Sequence, residues 1–299
     1  MATPSRIADF YAGKSVFITG ATGLIGKVLL ERLLQTCPEI CKIYVLVRNK
    51  HGVNERRRVE KLVKCQAFDH IRRTSPETLN KIEAIPGDLT APELGISPND
   101  QETLMKNVSI VFHSAATVRF DEPLKSSVQM NVVGTLSVIN LCKRLRDLKA
   151  IVHISTAYCN CEHSFIEERI YPTSHDYEDI VQSSRWMTAD EMDAIFPQLK
   201  GAKPNTYAYT KSLAEQMIGR VGAGLPIAIL RPTVVGNSCK EPFPGWVDSA
   251  NGGGGLLTAL ANGAWRFSRT SKTSLADLVP VDYCANAMIV LGWRSGTTW

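Results

Sequence analysis

The segment KSVFITGATGLIGKVLLERLL, residues 14–34, joins a short apolar run, three evenly spaced glycines and an amphipathic stretch. The apolar run KSVFIT (14–19) is rich in residues that favour strands, and KVLLERLLQTC (27–37) has apolar residues at helical spacing. A strand that enters a helix through a glycine turn begins a βαβ unit. The segment therefore predicts an α/β fold with a parallel sheet.

The rest of the chain continues the alternation of apolar runs and helical patterns. Five further segments are predicted to be strands: KIYVLV (42–47), KIEAIPGD (81–88), VSIVFHSAA (108–116), AIVHIST (150–156) and LPIAILRPT (225–233). Near-continuous apolar strands between helices are typical of a parallel sheet that is covered on both faces. The predicted fold class is therefore α/β, with a doubly wound parallel sheet of the Rossmann type.

The glycine turn is the first predicted binding feature. Gly20, Gly23 and Gly26 are spaced three residues apart where the first helix opens. Glycines let the backbone turn tightly and approach a pyrophosphate, whose charge is favoured at a helix N-terminus. The turn therefore predicts a dinucleotide site.

The end of the second strand predicts which dinucleotide is bound. NAD-specific folds carry an acidic residue there, which bonds the ribose 2′-hydroxyl. This chain has Arg48 instead, followed by Lys50, and a guanidinium suits a 2′-phosphate. NADPH is therefore the predicted cofactor. Asp88, after the third strand, is predicted to lie near the adenine, with a plain turn aspartate as the alternative.

The stretch NTYAYTKSLAE, residues 205–215, predicts the chemistry. On a helix, Tyr207 and Lys211 share a face, whereas Tyr209 points elsewhere. A neighbouring ammonium favours the phenolate, so Lys211 is predicted to lower the pKa of Tyr207 and to make it a proton donor. Ser155 and Thr156 end the fifth strand at the edge where ligands bind. Either hydroxyl is a candidate to hold a substrate carbonyl oxygen, and a strand-end cap is the alternative.

Length and composition set limits on the protein class. The chain has 299 residues, 44% of them hydrophobic and 21% charged, which suits one large α/β domain or a nucleotide-binding domain with a smaller appendage. The N-terminus lacks a signal-peptide pattern, and no run approaches the ~18 apolar residues of a membrane span. As given, the chain is predicted to be soluble and intracellular.

Charge and cysteine patterns exclude further classes. Residues 1–75 hold 14 Lys/Arg against 6 Asp/Glu, but no interleaved aromatics or nucleic-acid motif accompany the charge. The arginines that follow Arg48 are read as a solvated helix face. Eight cysteines show no spacing that would build a zinc site, so no metal is predicted. Cys159 and Cys161 are read as inert rather than nucleophilic.

The motifs taken together resemble the extended short-chain dehydrogenases/reductases and, within them, the eukaryotic fatty acyl-CoA reductases. The resemblance covers essentially the whole chain. It rests on FYAGKSVFITGATGLIGKVLLERLL, VFHSAATVRFDEPL, NVVGT, HISTAYCNC, PNTYAYTKSLAE, LRPTVVG, CKEPFPGWVD and LADLVPVD. The glycine motif is common to the superfamily, whereas HSAATVRF and KEPFPGW are much more specific.

The resemblance implies a set of site residues. By position, the implied proton donor is Tyr207, the assisting lysine is Lys211 and the active-site hydroxyl is Ser155, with Thr156 close enough to be kept beside it. Asn131 is implied to support the active-site lysine. The implied cofactor-binding residues are Gly20, Thr22, Gly23, Leu24, Ile25, Gly26, Arg48, Asp88, Leu89, Ala115, Ala116, Pro232, Thr233 and Val235.

The resemblance also implies a reaction. NADPH reduces a long-chain acyl-CoA to an aldehyde, with release of CoA, and a second NADPH reduces the aldehyde to a primary alcohol, a precursor of waxes and ether lipids. The implied partner is a long-chain acyl-CoA, with no nucleic acid. For the full-length relatives it implies the peroxisomal membrane, facing the cytosol. The sequence leaves the oligomeric state open, including a homo-oligomer.

The expected organisation has four parts. Residues 1–157 form the NADPH-binding core, 158–205 an insertion, 206–236 the active-site helix and the following strand, and 237–299 a small, apparently truncated substrate-binding lobe. The insertion is expected either to cover the substrate or to lie on the surface. Phe243 and Trp246 either line a lipid tunnel or stiffen a loop. The family's C-terminal domain and membrane anchor are expected to lie outside this chain.

Two other functions remain open at this level. One is a different extended reductase or epimerase that acts on sugar nucleotides or small ketones, and the long insertion and KEPFPGW argue against it. The other is a catalytically incompetent NADP-binding fragment, against which the presence of both Tyr207 and Lys211 argues.

Overall fold

The computed structural model describes residues 6–49, 52, 54–248, 252–266, 271, 273 and 275–298. Its centre is a six-stranded, fully parallel sheet in the order β3-β2-β1-β4-β5-β6. The strands are β1 (Ser15–Thr19), β2 (Ile43–Val47), β3 (Ile82–Pro86), β4 (Val108–His113), β5 (Ala150–Ile154) and β6 (Ile227–Leu230). Each lies within a segment predicted from the sequence, so the predicted parallel sheet is confirmed.

Helices cover both faces of this sheet. In chain order they are α1 (Arg6–Tyr11), α2 (Leu24–Thr36), α3 (Glu55–Val63), α4 (Asp69–Thr74), α5 (Pro98–Asn107), α6 (Leu124–Val128), α7 (Gly134–Cys142), α8 (Tyr177–Trp186), α9 (Ala189–Leu199), α10 (Thr206–Val221), α11 (Gly252–Ala261) and α12 (Val281–Thr298). Within the described part of the chain, no helix is both long and apolar enough to cross a membrane.

Side chains alternate between the two faces of each strand and build two cores. On β1, Val16 and Ile18 face a cluster with α2 and α12, whereas Phe17 faces a cluster with α5 and α7. Strands β1, β4 and β5 are buried at every position, so both of their faces favour apolar side chains. This burial explains why the strands stand out in the sequence.

The insertion contains two helices that pack against the active-site helix. Apolar residues of α8 and α9, among them Ile180, Val181 and Met192, form a third core with Tyr209 and Leu213 of α10. The side chain of Asp176 caps α8, and Thr188 forms a capping box at the start of α9. The insertion is therefore a folded helical layer on the outer side of α10.

A second, two-stranded parallel sheet follows the main one. It pairs β7 (Val234–Gly236) with β8 (Leu278–Pro280). At the start of α12, the Asp282 carboxylate accepts hydrogen bonds from the backbone N–H groups of Cys239, Lys240 and Glu241 at 2.9, 2.9 and 3.2 Å. One buried side chain thus fixes the start of the CKEPFPGW loop.

The two aromatic residues of this loop have different environments. Trp246 is buried in the core with α2 and α12, and its backbone N–H donates to the Ser238 hydroxyl at 3.0 Å. Phe243 is largely exposed. Trp246 therefore supports the loop from the core, and the alternative that it lines a lipid tunnel does not fit this burial.

Candidate active site

The glycine turn lies at the switch point between β1 and β4, where the strand order reverses. Gly20 has a φ of +78°, and a Cβ there would lie 2.6 Å from the backbone nitrogen of Ala115. A Cβ at Gly26 would collide with the Gly20 carbonyl oxygen. Gly23, the N-cap of α2, provides no side-chain cap, which leaves the first N–H groups of the helix to an anion. The turn fits a dinucleotide pyrophosphate.

Other predicted cofactor residues lie at the same edge with different roles. The Asp88 carboxylate accepts from the N–H and the hydroxyl of Thr90 at 2.9 and 2.8 Å, so it shapes its own turn. The side chain of Leu89 is buried against Gly134 and faces the core. The turn and the strand ends also carry Thr22, Leu24, Ile25, Ala115, Ala116, Pro232, Thr233 and Val235.

Arg48 is exposed directly after β2, and a second arginine lies beside it. The guanidinium of Arg58, on α3, donates to the Arg48 carbonyl oxygen at 2.5 Å. Burial and the nearby Arg48 charge lower the pKa of Arg58. The fold thus holds the Arg58 guanidinium at the Arg48 backbone and within reach of the Arg48 charge, which residue spacing did not indicate. Lys50 lies outside the described residues.

The candidate proton donor and its hydroxyl partner come from α10 and the end of β5. The Thr156 side chain lies close enough to the Tyr207 phenol to lower its pKa. The Thr156 hydroxyl accepts from the Tyr158 N–H at 3.2 Å and donates to the Pro232 carbonyl oxygen at 3.4 Å, so it also caps the turn after β5. The Ser155 hydroxyl instead lies 3.7 Å from the sulfur of Cys159. Of the two candidate hydroxyls, the structure therefore brings Thr156 to Tyr207.

The pKa of Tyr207 differs from the sequence-based prediction. Burial raises it to about 12, and the nearby Thr156 side chain opposes this rise only in part. The predicted decrease caused by Lys211 was wrong for this structure, because the helical spacing carries no information on how deeply the phenol is buried. At neutral pH, Tyr207 is protonated.

Lys211 is buried, and its ammonium donates to the Ile154 carbonyl oxygen at 2.6 Å. Burial lowers the pKa of Lys211 to about 8, and the Cys159 and Glu215 side chains act in the opposite direction. The carbonyl at the end of β5 thus fixes the ammonium on the same face of α10 as Tyr207.

A buried ion pair between Glu215 and Arg231, which the sequence did not predict, lies one helical turn after Lys211. Glu215, one turn after Lys211, is buried and binds the Arg231 guanidinium through two bonds of 2.9 and 2.6 Å. Arg231 also donates to the carbonyl oxygens of Glu167 and Arg169 in the insertion, at 3.1 and 2.7 Å. The spacing of Tyr207, Lys211 and Glu215 on one helical face was the available signal.

Cys159 is part of this same buried network. Its thiol donates to Glu215 at 3.2 Å, and burial raises its pKa to about 12. A thiol that holds its proton at neutral pH is a poor nucleophile. The inert role predicted for Cys159 fits this environment.

Asn131 contacts the loop after β4 and the active-site helix. It lies in a π-helical segment, Gln129–Val133, between α6 and α7. Its amide accepts from the Thr117 N–H at 3.0 Å, donates to the Thr117 carbonyl oxygen at 3.2 Å, and donates to the Thr210 hydroxyl at 2.9 Å. Asn131 thus fixes the surroundings of Lys211 through Thr210, the neighbouring residue.

His113, at the end of β4, is another residue that the sequence reasoning missed. Its two ring nitrogens lie 2.7 and 2.9 Å from the hydroxyls of Thr19 and Thr135. Burial and the charge of Lys211 lower its pKa to about 3, so the ring is neutral. His113 therefore ties the carboxyl ends of β1 and β4 to α7.

The strand order and the switch-point turn are those of a dinucleotide-binding domain. The helix with Tyr207 and Lys211 places the chain in the extended short-chain dehydrogenase/reductase class. The NAD-binding family model described as "Male sterility protein" matches residues 18–288, and the chain belongs to that family.

Curated relatives agree with this assignment. Over 290 residues the chain is 47% identical to fatty acyl-CoA reductase 1 of Xenopus laevis and 45% identical to that of Homo sapiens. It is 42% identical over 289 residues to fatty acyl-CoA reductase 2 of Homo sapiens. Each match covers 97% of this chain and 56% of the relative, so the chain spans about half the length of these proteins.

Solved structures share the fold. The terminal R domain from the myxalamid PKS-NRPS biosynthetic pathway has a TM-score of 0.67 at 25% identity, covering 93% of this chain and 61% of that one. The reductase domain of a nonribosomal peptide synthetase from Mycobacterium tuberculosis has a TM-score of 0.66 at 22% identity, covering 100% and 66%. The second likeness shows the fold alone.

Proposed function

We propose that this chain is the catalytic domain of an NADPH-dependent fatty acyl-CoA reductase that forms a primary alcohol. The observation that carries the proposal is the proximity of the Thr156 side chain to the Tyr207 phenol, at the sheet edge that also carries the glycine turn. The identities of 42–47% with fatty acyl-CoA reductases support the substrate class.

The two hydroxyls suit a thioester carbonyl. Thr156 and Tyr207 would both donate hydrogen bonds to the carbonyl oxygen and stabilise the negative charge that develops on it. Because burial raises the pKa of Tyr207 to about 12, the phenol carries its proton at neutral pH and can pass it to an alkoxide. A bound nicotinamide cofactor supplies the hydride.

The same residues serve both reductions. In the first, collapse of the tetrahedral thiohemiacetal breaks the carbon–sulfur bond, and the CoA thiolate leaves and takes a proton. In the second, the aldehyde oxygen occupies the same pair of hydroxyls and receives the proton of Tyr207. Lys211, one turn after Tyr207 on α10, is held by the Ile154 carbonyl oxygen and adds a positive charge to this side of the site. No protein nucleophile is required, which suits the inert environment of Cys159.

The arginine pair supports NADPH as the cofactor. Arg48 and Arg58 meet after β2, where an NAD-specific protein would place a carboxylate. Two guanidinium groups favour the additional phosphate of NADPH, because hydrogen bonds between charged partners are stronger than neutral ones.

The test is an activity assay with a matched pair of tyrosine variants. The chain is mixed with NADPH and palmitoyl-CoA, and both the loss of NADPH absorbance and the release of free thiol are followed. Tyr207→Phe is expected to lower kcat by about 10²- to 10⁴-fold, because the proton donor is removed. Tyr209→Phe is the control, because its hydroxyl is buried in the core cluster without a described hydrogen-bond partner. Equal turnover by Tyr207→Phe and the unmodified chain would overturn the mechanism.

A further inference from the structure

The segment between β4 and α6 is fixed at both ends to the candidate active site. At its start, the N–H and C=O groups of Thr117 both bind the Asn131 side chain, at 3.0 and 3.2 Å. At its end, the carbonyl oxygen of Glu122 accepts from the hydroxyl of Thr206, the residue before Tyr207. The side chains in between therefore have a set position relative to the Tyr207 phenol.

Two of these side chains are apolar and exposed. Val118 is 58% exposed and Phe120 is 67% exposed. The Phe120 ring lies 6.1 Å from the Tyr207 ring, centroid to centroid, with an interplanar angle of 36°. Arg119 between them pairs with Asp121. A fixed aromatic ring that faces solvent beside a polar site is stabilised when an apolar ligand covers it.

We propose that Phe120, together with Val118, packs against the first carbons of the acyl chain and selects longer acyl chains over the acetyl group. This inference rests on the proposed function. The reacting carbonyl carbon must lie at the hydroxyls of Thr156 and Tyr207, so the carbons next to it leave the site within reach of a ring that contacts Tyr207. Phe120 is therefore a positioning residue for the substrate, close to the carbonyl rather than at the distal end of the chain.

Because Phe120 lies close to the substrate carbonyl, its effect should depend on chain length in a specific way. An acetyl group is too short to cover the Phe120 ring, whereas octanoyl and dodecanoyl chains cover it to the same extent. Removal of the ring should therefore weaken binding of both longer chains equally and leave acetyl-CoA unaffected. The competing occupant of this surface is the nicotinamide ring, in which case cofactor affinity would fall instead.

The test is calorimetric titration of the chain, saturated with NADP⁺, with acetyl-, octanoyl- and dodecanoyl-CoA. For Phe120→Ala we expect about tenfold weaker binding of octanoyl- and dodecanoyl-CoA, a change that corresponds to about 1.4 kcal/mol. Binding of acetyl-CoA, and of NADPH to the free chain, should stay within about twofold. Phe120→Leu should restore most of the loss. Val290→Ala is the control, because Val290 is 41% exposed on α12.

The outcomes separate this inference from the proposed function. If the unmodified chain binds none of the three thioesters, the acyl-CoA assignment fails and the inference fails with it. If it binds all three equally, only the inference is wrong. If the unmodified chain prefers long chains and Phe120→Ala keeps that preference, only the inference is wrong. Weaker NADPH binding, or an equal loss for acetyl-CoA, would also overturn it.

Discussion

The side chain of Thr156 lies next to the Tyr207 phenol, whereas the hydroxyl of Ser155, its neighbour, lies 3.7 Å from the sulfur of Cys159. Adjacent residues at a strand end point to opposite sides, so only one of the two hydroxyls reaches the candidate donor. Thr156→Val is therefore expected to lower kcat by about 10²-fold, the usual effect of one lost oxyanion donor. Ser155→Ala should retain kcat within about threefold. The opposite ranking of the two variants in the acyl-CoA assay would contradict the site geometry.

The arginine pair predicts a loss of cofactor discrimination. Arg48→Ala and Arg58→Ala should each weaken NADPH binding by about 1.5 to 3 kcal/mol, the usual range for a hydrogen bond to a charged group. NADH lacks the phosphate, so its affinity should change little. Titration of both cofactors measures this difference, and Arg57→Ala provides the control, because Arg57 is an exposed neighbour on α3. An equal loss of NADH affinity would mean that the arginines contact a part of the cofactor other than the 2′-phosphate.

The pKa of Lys211 predicts the pH dependence of the reduction. Since burial lowers this pKa to about 8, the ammonium is present below that pH and is lost above it. The value of kcat/KM, which reports on the free enzyme, should therefore be level up to about pH 8 and fall tenfold per pH unit beyond it.

Glu215 is expected to affect the pH at which kcat/KM begins to fall. Its charge raises the pKa of Lys211, so Glu215→Gln should move the fall in kcat/KM to lower pH. Glu77 is exposed and distant in sequence from Lys211, so Glu77→Gln should leave the pH profile of kcat/KM unchanged. A limb that moves to higher pH in Glu215→Gln would contradict the assignment to Lys211.

The buried pair of Glu215 and Arg231 predicts a large coupling energy. Arg231→Met leaves the Glu215 carboxylate buried without its main partner and should reduce the free energy of unfolding by about 3 to 5 kcal/mol. Glu215→Leu in the same chain should recover part of this loss, because the uncompensated charge is removed. Urea unfolding of the single and double variants measures the coupling. Lys106→Ala is the control: it breaks an exposed pair with Glu102 and should cost less than about 1 kcal/mol.

Asp282 predicts an acid-sensitive contribution to stability. Burial favours its neutral form, but the three N–H donors of the loop outweigh this and lower its pKa. A carboxyl with a lowered pKa in the folded state stabilises the fold above its unfolded value of about 3.9, and this contribution is lost as the pH falls through the folded value. Asp282→Ala should therefore cost about 3 kcal/mol at pH 7 and progressively less toward pH 3.

Chemical denaturation at several pH values checks this dependence. The exposed Asp190 at the start of α9 provides the control, and Asp190→Ala should cost at most about 1 kcal/mol. A loss for Asp282→Ala that stays constant between pH 7 and pH 3 would mean that the loop is held by packing rather than by the carboxylate.

The main sheet could be predicted from the sequence because its central strands are buried on both faces and are therefore largely apolar. Strands β7 and β8 are three residues each and were missed, since so short a run has no recognisable period. Helices α8 and α9 were also missed. Their capping residues Asp176 and Thr188 were visible signals, but the apolar face that α10 covers becomes evident only in the folded chain.

The candidate site was predictable in its residue types and less so in their environments. Helical spacing identified Tyr207 over Tyr209, and the strand end identified Ser155 and Thr156 as a pair. Which hydroxyl faces the phenol depends on how the strand ends, and the direction of the Tyr207 pKa shift depends on burial. The proximity of Arg58 to Arg48 depends on how the chain folds between β2 and α3. Such three-dimensional relationships have no counterpart in residue spacing.

Arg231 holds the insertion by the carbonyl oxygens of Glu167 and Arg169, which every amino acid provides. Substitutions in this part of the insertion therefore keep the anchor, as long as the backbone path is preserved. Evolution, or a protein engineer who grafts a related segment onto this scaffold, can therefore diversify the side chains of this segment while its backbone stays tied to Arg231.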